Sequence, residues 1–208
     1  MITLAVEQLA TIPYTEALEL QQRHRARVQG GGDGVLLLLE HPPVYTRGRR
    51  TGPGELPMGE DWYRAQGIEV VDTDRGGRVT YHGPGQLVGY PIVAVEDVLS
   101  FVRRMERAIM AALADFGIDA RVRTDEGSDY TGVWVEDRKI ASIGIHVQKG
   151  VSTHGFAVNV DNDLQPFEWV VPCGLQGVQM TSVCRETGRG GNLARFREVM
   201  AQRFVESR

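Results

Sequence analysis

Arg75-Gly-Gly-Arg-Val-Thr-Tyr-His-Gly-Pro-Gly-Gln86 is the stretch around which this chain is organised, with four of its 25 glycines in twelve residues. The glycines flank a short run typical of a β-strand, Arg78 to His82, and a second apolar run follows at Leu87–Val93. We predict that these runs are two strands joined as a hairpin by the tight Gly-Pro-Gly turn.

Two interpretations of this glycine density remain open from the residues alone. Glycines allow a ligand to lie directly against backbone amides, and the polar side chains between them would orient it. Glycines in strands also mark bulges or close packing where no ligand binds. A nucleotide pocket is not indicated, because the chain has neither a G-x-G-x-x-G order between a strand and a helix nor a G-x-x-x-x-G-K-[ST] motif.

Composition indicates a globular protein that does not bind nucleic acid. The 208 residues are 42% apolar and 24% charged, with a net charge of −4, so no basic field is present. The longest purely apolar run, Val35–Leu39, is too short to cross a bilayer, and the first residues lack the basic region of a secretory signal. We therefore expect no membrane association and a cytoplasmic location, where Cys173 and Cys184 stay reduced.

Hydrophobic periodicity predicts an α+β fold in one domain, residues 1–208, with helices packed on a mixed, mostly antiparallel sheet. A Pro/Gly-rich loop is expected from His41 to about Gly59. The predicted helices are Thr15–Val28, Asp61–Gln66, Asp97–Phe116 and Leu193–Phe204. The further predicted strands are Val35–Glu40, Ile68–Asp72, Gly132–Val135, Ile140–Val147 and His154–Val160.

Two residues stand out as candidates for chemistry. Cys173 lies between Pro172 and Gly174, which leaves its sulfur accessible, but a lone cysteine is also often a small buried hydrophobe. Lys139 is one of only two lysines among 23 basic residues, and lysine, unlike arginine, can lose its proton when it is desolvated. A solvated turn lysine explains the same observation. His82, His146 and His154 are further candidate activators of a thiol.

No spacing of histidines and cysteines suggests zinc, so neither a metal nor another cofactor is expected. A serine hydrolase is not indicated either, because the chain lacks the G-x-S-x-G motif of that class.

Several motifs, in order from about Pro13 to Ser182, together resemble the lipoyl(octanoyl) transferase family. They are Arg75 to Pro91, Lys139-Ile-Ala-Ser-Ile-Gly-Ile145, His154-Gly-Phe-Ala-Val-Asn-Val160 and Val171-Pro-Cys-Gly-Leu175. The resemblance implies a fold shared with biotin and lipoate protein ligases. It also implies transfer of octanoyl from octanoyl-acyl carrier protein to a lysine of lipoyl domains, through an acyl-thioester on cysteine. The implied acceptors are lipoyl domains of 2-oxoacid dehydrogenase subunits and the glycine cleavage H protein.

Carried over by position, Cys173 matches the acyl-accepting nucleophile and Lys139 the residue that lowers its pKa and shuttles protons. The resemblance also implies acyl-binding residues, which are Arg75, Gly76, Gly77, Arg78, Val79, Thr80, Tyr81, His82, Ser142, Ile143, Gly144, Gly155, Phe156 and Ala157. His146 departs from the family pattern, where arginine is more common, and Cys184 lies in a variable stretch.

Three rival functions are distinguishable by experiment. An adenylate-forming lipoate or biotin ligase would need ATP and no cysteine, whereas a thiol hydrolase would release free octanoate without an acceptor. A non-catalytic acyl-binding module would keep its function in Cys173→Ala. Two acidic protein partners would be attracted to a basic rim, for which Arg47, Arg49 and Arg50 are the candidates.

Overall fold

The computed structural model describes residues 4–171 and 177–207, and the elements below lie within those ranges. The strands are β1 (Leu4–Thr11), β2 (Gly34–Glu40), β3 (Val44–Arg47), β4 (Glu69–Asp72), β5 (Thr80–His82), β6 (Gln86–Ile92), β7 (Gly132–Val135), β8 (Arg138–Gln148), β9 (Val151–Asn159) and β10 (Gln179–Met180). The α-helices are α1 (Tyr14–Gln29), α2 (Glu60–Ala65), α3 (Val98–Ala114), α4 (Val183–Thr187) and α5 (Leu193–Glu206). Short 3-10 helices span Thr124–Glu126, Ser128–Tyr130 and Gln165–Trp169.

The described strands form two sheets of mixed direction. The larger sheet has the order β1-β2-β6-β9-β8-β10, with β7 also paired to β8, and the smaller has the order β4-β3-β5. The pairs β1/β2, β8/β10 and β3/β4 are parallel, and the other pairs are antiparallel. The predicted α+β class with a mixed, mostly antiparallel sheet is confirmed.

Helices cover both faces of the larger sheet, which explains why β2 is apolar at nearly every position. Leu36 and Leu38 pack into the cluster that contains α3 and α5. Val35, Leu37 and Leu39 face the other way and pack with Tyr14 and Ala17 of α1. Since strand side chains alternate between faces, a strand buried on both sides reads as a continuous hydrophobic run.

The connection from β5 to β6 differs from the predicted hairpin. Both strands exist, but β5 pairs with β3 in the smaller sheet while β6 pairs with β2 and β9 in the larger one. Gly85, at φ +87°, donates its N–H to Glu40 Oε2 and accepts a hydrogen bond from the Asp161 N–H. These two bonds hold the turn against the larger sheet, so the Gly-Pro-Gly segment carries the chain between sheets.

The expected loop from His41 to Gly59 is also partly wrong, because it contains β3. This four-residue strand is the centre of the smaller sheet and pairs with β4 and β5. The expectation of a single domain over residues 1–208 stays a prediction. Over the described ranges, no helix combines the length and apolarity that crossing a bilayer requires.

Candidate functional site

A cavity of about 270 Å³ lies where the glycine-rich stretch meets β8 and β9. This volume is just below the range of roughly 300–1,000 Å³ typical of small-molecule sites, so the cavity suits a small ligand. Arg50 and Ser128 in its lining are exposed, whereas Tyr14, His82 and His154 are buried. The mouth is therefore on the side of Arg50 and Ser128, and the floor is formed by the tyrosine and histidines.

The structure brings nearly all the predicted site residues that it describes to this cavity. Tyr81 is the exception, because its ring packs against Tyr45 and Phe167 in a separate apolar cluster. Cys173 lies outside the described residues. Those that line the cavity are Arg75, Gly76, Gly77, Arg78, Val79, Thr80, His82, Lys139, Ser142, Ile143, Gly144, Gly155, Phe156 and Ala157. Their roles stay predictions.

Strand pairing explains why three segments that are distant in sequence meet here. In the β8/β9 pair, Ser142, Ile143 and Gly144 lie opposite Ala157, Phe156 and Gly155. The glycine-rich stretch joins this pair through the Gly76 N–H, which donates to the Ile145 carbonyl at 2.9 Å. The backbone of all three segments is therefore fixed relative to the cavity.

Arg75 holds the glycine-rich stretch in place from within. Its side chain is buried and donates from Nε and Nη2 to the Thr46 hydroxyl, and from Nη2 to the Thr46 carbonyl at 2.6 Å. Nη1 donates to the Gly76 carbonyl at 3.0 Å. Buried hydrogen bonds from a charged donor are stronger than neutral ones, so Arg75 anchors this part of the lining to β3.

On the cavity floor, the buried His154 links the buried Tyr14 to Asp74, whose side chain is 53% exposed. His154 Nε2 lies 2.6 Å from Asp74 Oδ1, and His154 Nδ1 lies 3.3 Å from the Tyr14 hydroxyl. The hydrogen bond from His154 holds the pKa of Asp74 well below its usual range, whereas burial lowers the pKa of His154. A neutral His154 therefore donates from Nε2 to the ionised Asp74 and accepts at Nδ1 from Tyr14.

Three buried groups at and behind the floor, His41, Tyr14 and His82, are neutral at physiological pH. Burial lowers the pKa of His41 to about 4 and raises the pKa of Tyr14 to about 12. His41 Nδ1 donates to the Ile12 carbonyl at 2.8 Å, which leaves Nε2 to accept from the Tyr90 hydroxyl at 2.7 Å. Burial also lowers the pKa of His82 well below its usual value, and its Nδ1 donates to Gln86 Oε1 at 2.7 Å.

Sequence reasoning missed Tyr14, His41, Tyr90 and Asp74 as parts of the site. Their partners are 49 to 140 residues away along the chain, and no local motif connects them. The left-handed backbone of His154 (φ +58°) within β9 is an unusual feature beside these residues, but it is a property of the fold rather than of the sequence.

Lys139 is buried on β8, with 1% of its surface exposed, and Nζ lies 5.2 Å from the centre of the Trp134 ring. The described residues on both sides of Cys173 are tied to the site. The Val171 N–H donates to the Glu55 carbonyl at 3.0 Å, and Met180 of β10 pairs directly with Lys139.

The candidate basic rim is only partly available for a partner. Arg47 is bound by Asp72 and Glu60, and Arg50 by Asp129, whereas Arg49 is exposed.

Cys184 is a half-buried free thiol on α4, and His146 Nδ1 lies 2.6 Å from Asp74 Oδ2. Among the residues that the structure describes, no three His, Cys, Asp or Glu side chains are grouped to hold a metal ion.

Comparison with known proteins gives concordant matches. Residues 13–205 match the lipoyl protein ligase A/B catalytic domain. An octanoyltransferase of Mycobacterium sp. (strain KMS) is 46% identical in a match that covers 97% of this chain and 84% of the relative.

Solved structures support the expected fold. The putative lipoate protein ligase Ta0514 from T. acidophilum, with bound lipoic acid, matches with a TM-score of 0.78 at 20% identity, over 98% of this chain and 85% of that one. The biotin protein ligase from Aquifex aeolicus, in complex with biotin and ATP, matches with a TM-score of 0.59 at 13% identity, over 98% and 69%. The predicted biotin and lipoate protein ligase-like fold is confirmed.

Proposed function

The chain belongs to the lipoyl protein ligase A/B catalytic domain family, and from this premise we propose the donor, acceptor and intermediate of its reaction. It is an acyltransferase, an octanoyltransferase of protein lipoylation. The donor is octanoyl-acyl carrier protein, the acceptor is a specific lysine of a lipoyl domain, and octanoyl is carried between them as a thioester on Cys173. The catalytic unit is the single domain 1–208, acting in the cytoplasm without a cofactor.

The observation that carries this proposal is the composition of the cavity. Glycine backbone and the apolar residues Val79, Ile143 and Phe156 line one cavity of about 270 Å³ together with the buried Lys139. Burial of each methylene contributes about 0.8 kcal/mol, so such a space can select an acyl chain by its length. A buried lysine in the same lining supplies a group that can exchange a proton.

In the first half-reaction, the Cys173 thiolate attacks the thioester carbonyl carbon of the donor. The new carbon–sulfur bond to Cys173 replaces the one to the carrier, and the carrier thiolate leaves and takes up a proton. A neighbouring ammonium on Lys139 favours the thiolate form of the nucleophile.

In the second half-reaction, the amine of the acceptor lysine attacks the Cys173 thioester. A carbon–nitrogen bond forms, the carbon–sulfur bond breaks, and the amine loses a proton as the Cys173 sulfur regains its negative charge. After acylation the sulfur no longer holds the ammonium of Lys139, which can lose its proton and then accept the one from the amine.

The positions of the described flanking residues support a Lys139–Cys173 dyad. Met180 pairs with Lys139, and Val171 bonds to Glu55, whose carboxylate binds the cavity residue Arg78 at 2.7 Å. We propose that the lysine and the cysteine lie in hydrogen-bond contact, directly or through one water molecule.

Intact mass spectrometry after incubation with octanoyl-acyl carrier protein tests this function. We expect a gain of one octanoyl group on Cys173, without ATP, and its loss on addition of a lipoyl domain. Cys173→Ser should abolish the thioester, and Lys139→Ala should slow both its formation and its discharge. Lys139→Arg should not restore the rate, because arginine cannot act as a base. Full activity of Cys173→Ser, or a requirement for ATP, would reject the proposal.

The partners are an acyl carrier protein and the lipoyl domains of 2-oxoacid dehydrogenase subunits and the glycine cleavage H protein. Within the described residues, Arg49 is the arginine of the proposed rim that is exposed and has no carboxylate in an ion pair with it. Charge reversal in Arg49→Glu should raise KM for carrier-bound octanoyl, most strongly at low salt, while sparing a small octanoyl thioester. An equal change for both donors would remove Arg49 from the docking surface.

A further inference from the structure

The cavity lining carries more positive charge than a neutral acyl chain requires. Its cationic side chains are Arg50, Arg75, Arg78 and Lys139, and its single carboxylate is Asp129. Four positive charges and one negative charge leave a surplus of three on the lining, within a chain whose net charge is −4. Glu55, beside Arg78, offsets one of them. Positive charge concentrated in a cleft of an acidic protein attracts an anionic ligand.

Two of these cationic side chains, Arg50 and Arg78, lie close to the Asp129 carboxylate near the mouth of the cavity. Arg50 Nη2 is 2.8 Å from Asp129 Oδ1, and its Nη1 donates to the Ser128 hydroxyl at 2.9 Å. Arg78 Nε is 3.7 Å from the same Asp129 oxygen, too far for a hydrogen bond. This Nε atom is buried and has no hydrogen-bond acceptor among the described residues. Arg78 therefore has an unused donor directed toward the side where Arg50 binds Asp129.

The Arg50–Asp129 ion pair can be broken at little cost when another anion binds Arg50. The Arg50 side chain is 45% exposed and that of Asp129 31%, and a solvent-exposed ion pair is only weakly favourable. A phosphate group presents more acceptor oxygens than a carboxylate and matches guanidinium groups in bidentate geometry. A phosphate that enters the mouth can therefore replace Asp129 beside Arg50 and also accept a hydrogen bond from the unused Arg78 Nε.

We propose that Arg50 and Arg78 form a subsite for the phosphate of a phosphorylated pantetheine arm, with Asp129 paired to Arg50 until the donor substrate binds. The subsite is near the exposed mouth, so the phosphate stays outside while the acyl group enters the buried part of the cavity. This inference rests on the proposed function, since a donor carried on such an arm delivers a phosphate together with the octanoyl group.

Two small donors that differ only in this phosphate test the subsite. The measured quantity is the ratio of kcat/KM for octanoyl-4′-phosphopantetheine to that for octanoyl-pantetheine. We expect a ratio of about ten or more in the unmodified protein, as charge-assisted hydrogen bonds to a phosphate provide. Arg50→Gln and Arg78→Gln should bring the ratio toward one. Asp129→Asn should raise it, because the competing carboxylate is removed.

Arg203→Gln is the matched control. Arg203, on α5, is another ion-paired arginine, which binds both Asp115 and Glu206. Its substitution should leave the ratio unchanged. A purely structural role of the Arg50–Asp129 pair would lower stability in both Arg50→Gln and Asp129→Asn, but would not move the ratio in opposite directions. Thermal melting of each variant separates loss of folding from loss of phosphate preference.

The outcomes separate this inference from the proposed function. Acylation of Cys173 by both donors with a ratio near one would overturn the subsite and leave the transferase function standing. If neither small donor nor octanoyl-acyl carrier protein acylates the protein, the proposed function fails, and calorimetry with 4′-phosphopantetheine and pantetheine then decides on the subsite. Equal affinity for both compounds overturns it. Tighter binding of the phosphorylated compound, lost in Arg50→Gln, supports it.

Discussion

His154 is held in a conformation that β-strands seldom contain. Its φ of +58° within β9 costs of the order of 1–3 kcal/mol, and surrounding contacts must offset this cost. The Gln21 side chain accepts the His154 N–H at 2.7 Å, and the ring is bound between Asp74 and Tyr14. These partners lie 80 to 140 residues away along the chain, so no local sequence pattern predicts the arrangement.

The cavity glycines illustrate what the sequence could and could not predict at single residues. Their density indicated a ligand-facing backbone, and Gly76 and Gly77 do line the cavity. The sequence did not show that Gly77 has a φ of +85°, where any side chain is strained. A Gly77 substitution therefore affects folding as well as the cavity, and its effect needs a control that carries the same backbone strain.

Gly77→Ala should lower octanoyl transfer more than its effect on stability explains. Gly31→Ala is the control, because Gly31 has a φ of +91°, has no atom within 4 Å of an added Cβ, and does not line the cavity. Both variants should lose about 1–2 kcal/mol of unfolding free energy through backbone strain. Only Gly77→Ala should also lose about tenfold or more in kcat/KM, which is 1.4 kcal/mol or more of transition-state binding. Equal activity of the two variants would show that Gly77 is only structural.

At the scale of elements, amphipathic and continuous apolar patterns predicted where helices and strands occur but not which strands pair. The pattern of α3 and the continuous run of β2 predicted both elements because burial against the core determines them. β1 was missed because its side chains are mostly half-buried or exposed, and it is held by parallel pairing to β2. β3 was missed because it has only four residues and lies in a stretch rich in proline and glycine.

The Gly-Pro-Gly connection between the two sheets gives a prediction at this scale. A Cβ on Gly85 would lie 2.7 Å from the Asn162 amide nitrogen and 2.8 Å from the Asp161 carbonyl carbon, at a φ of +87°. Backbone atoms cannot move aside as a flexible side chain can, so Gly85→Ala should cost at least about 2 kcal/mol of stability. Chemical denaturation measures this cost. A melting temperature equal to that of the unmodified protein would contradict the close approach.

Across the whole molecule, buried neutral histidines link folding to pH. Burial lowers the pKa values of His41, His82 and His154 in the folded protein, relative to about 6.5 in an unfolded chain. Folding thus favours the neutral imidazole, so the stabilisation is present above pH 6.5 and is lost as the pH falls from there toward the folded-state pKa values. The lowered pKa of Asp74 acts in the same direction at lower pH, since its contribution is lost below its unfolded value of about 3.8.

His41 allows one part of this acid sensitivity to be assigned. Its pKa falls from 6.5 to about 4, a difference equivalent to about 3 kcal/mol of unfolding free energy between neutral pH and pH 4. We expect urea denaturation at pH values from about 7.5 to 4.5 to show unfolding free energy decreasing steadily below pH 6.5. His41→Gln cannot titrate, and although it loses stability at pH 7.5, its unfolding free energy should decrease with a shallower slope. His24, which is half-buried on α1, provides the comparison. Burial lowers its pKa as well, but the nearby Glu7 carboxylate raises it, so His24→Gln should keep most of the slope of the unmodified protein. Unfolding free energy that is constant from pH 7 to 5 would mean that these histidines do not stay neutral in the folded state.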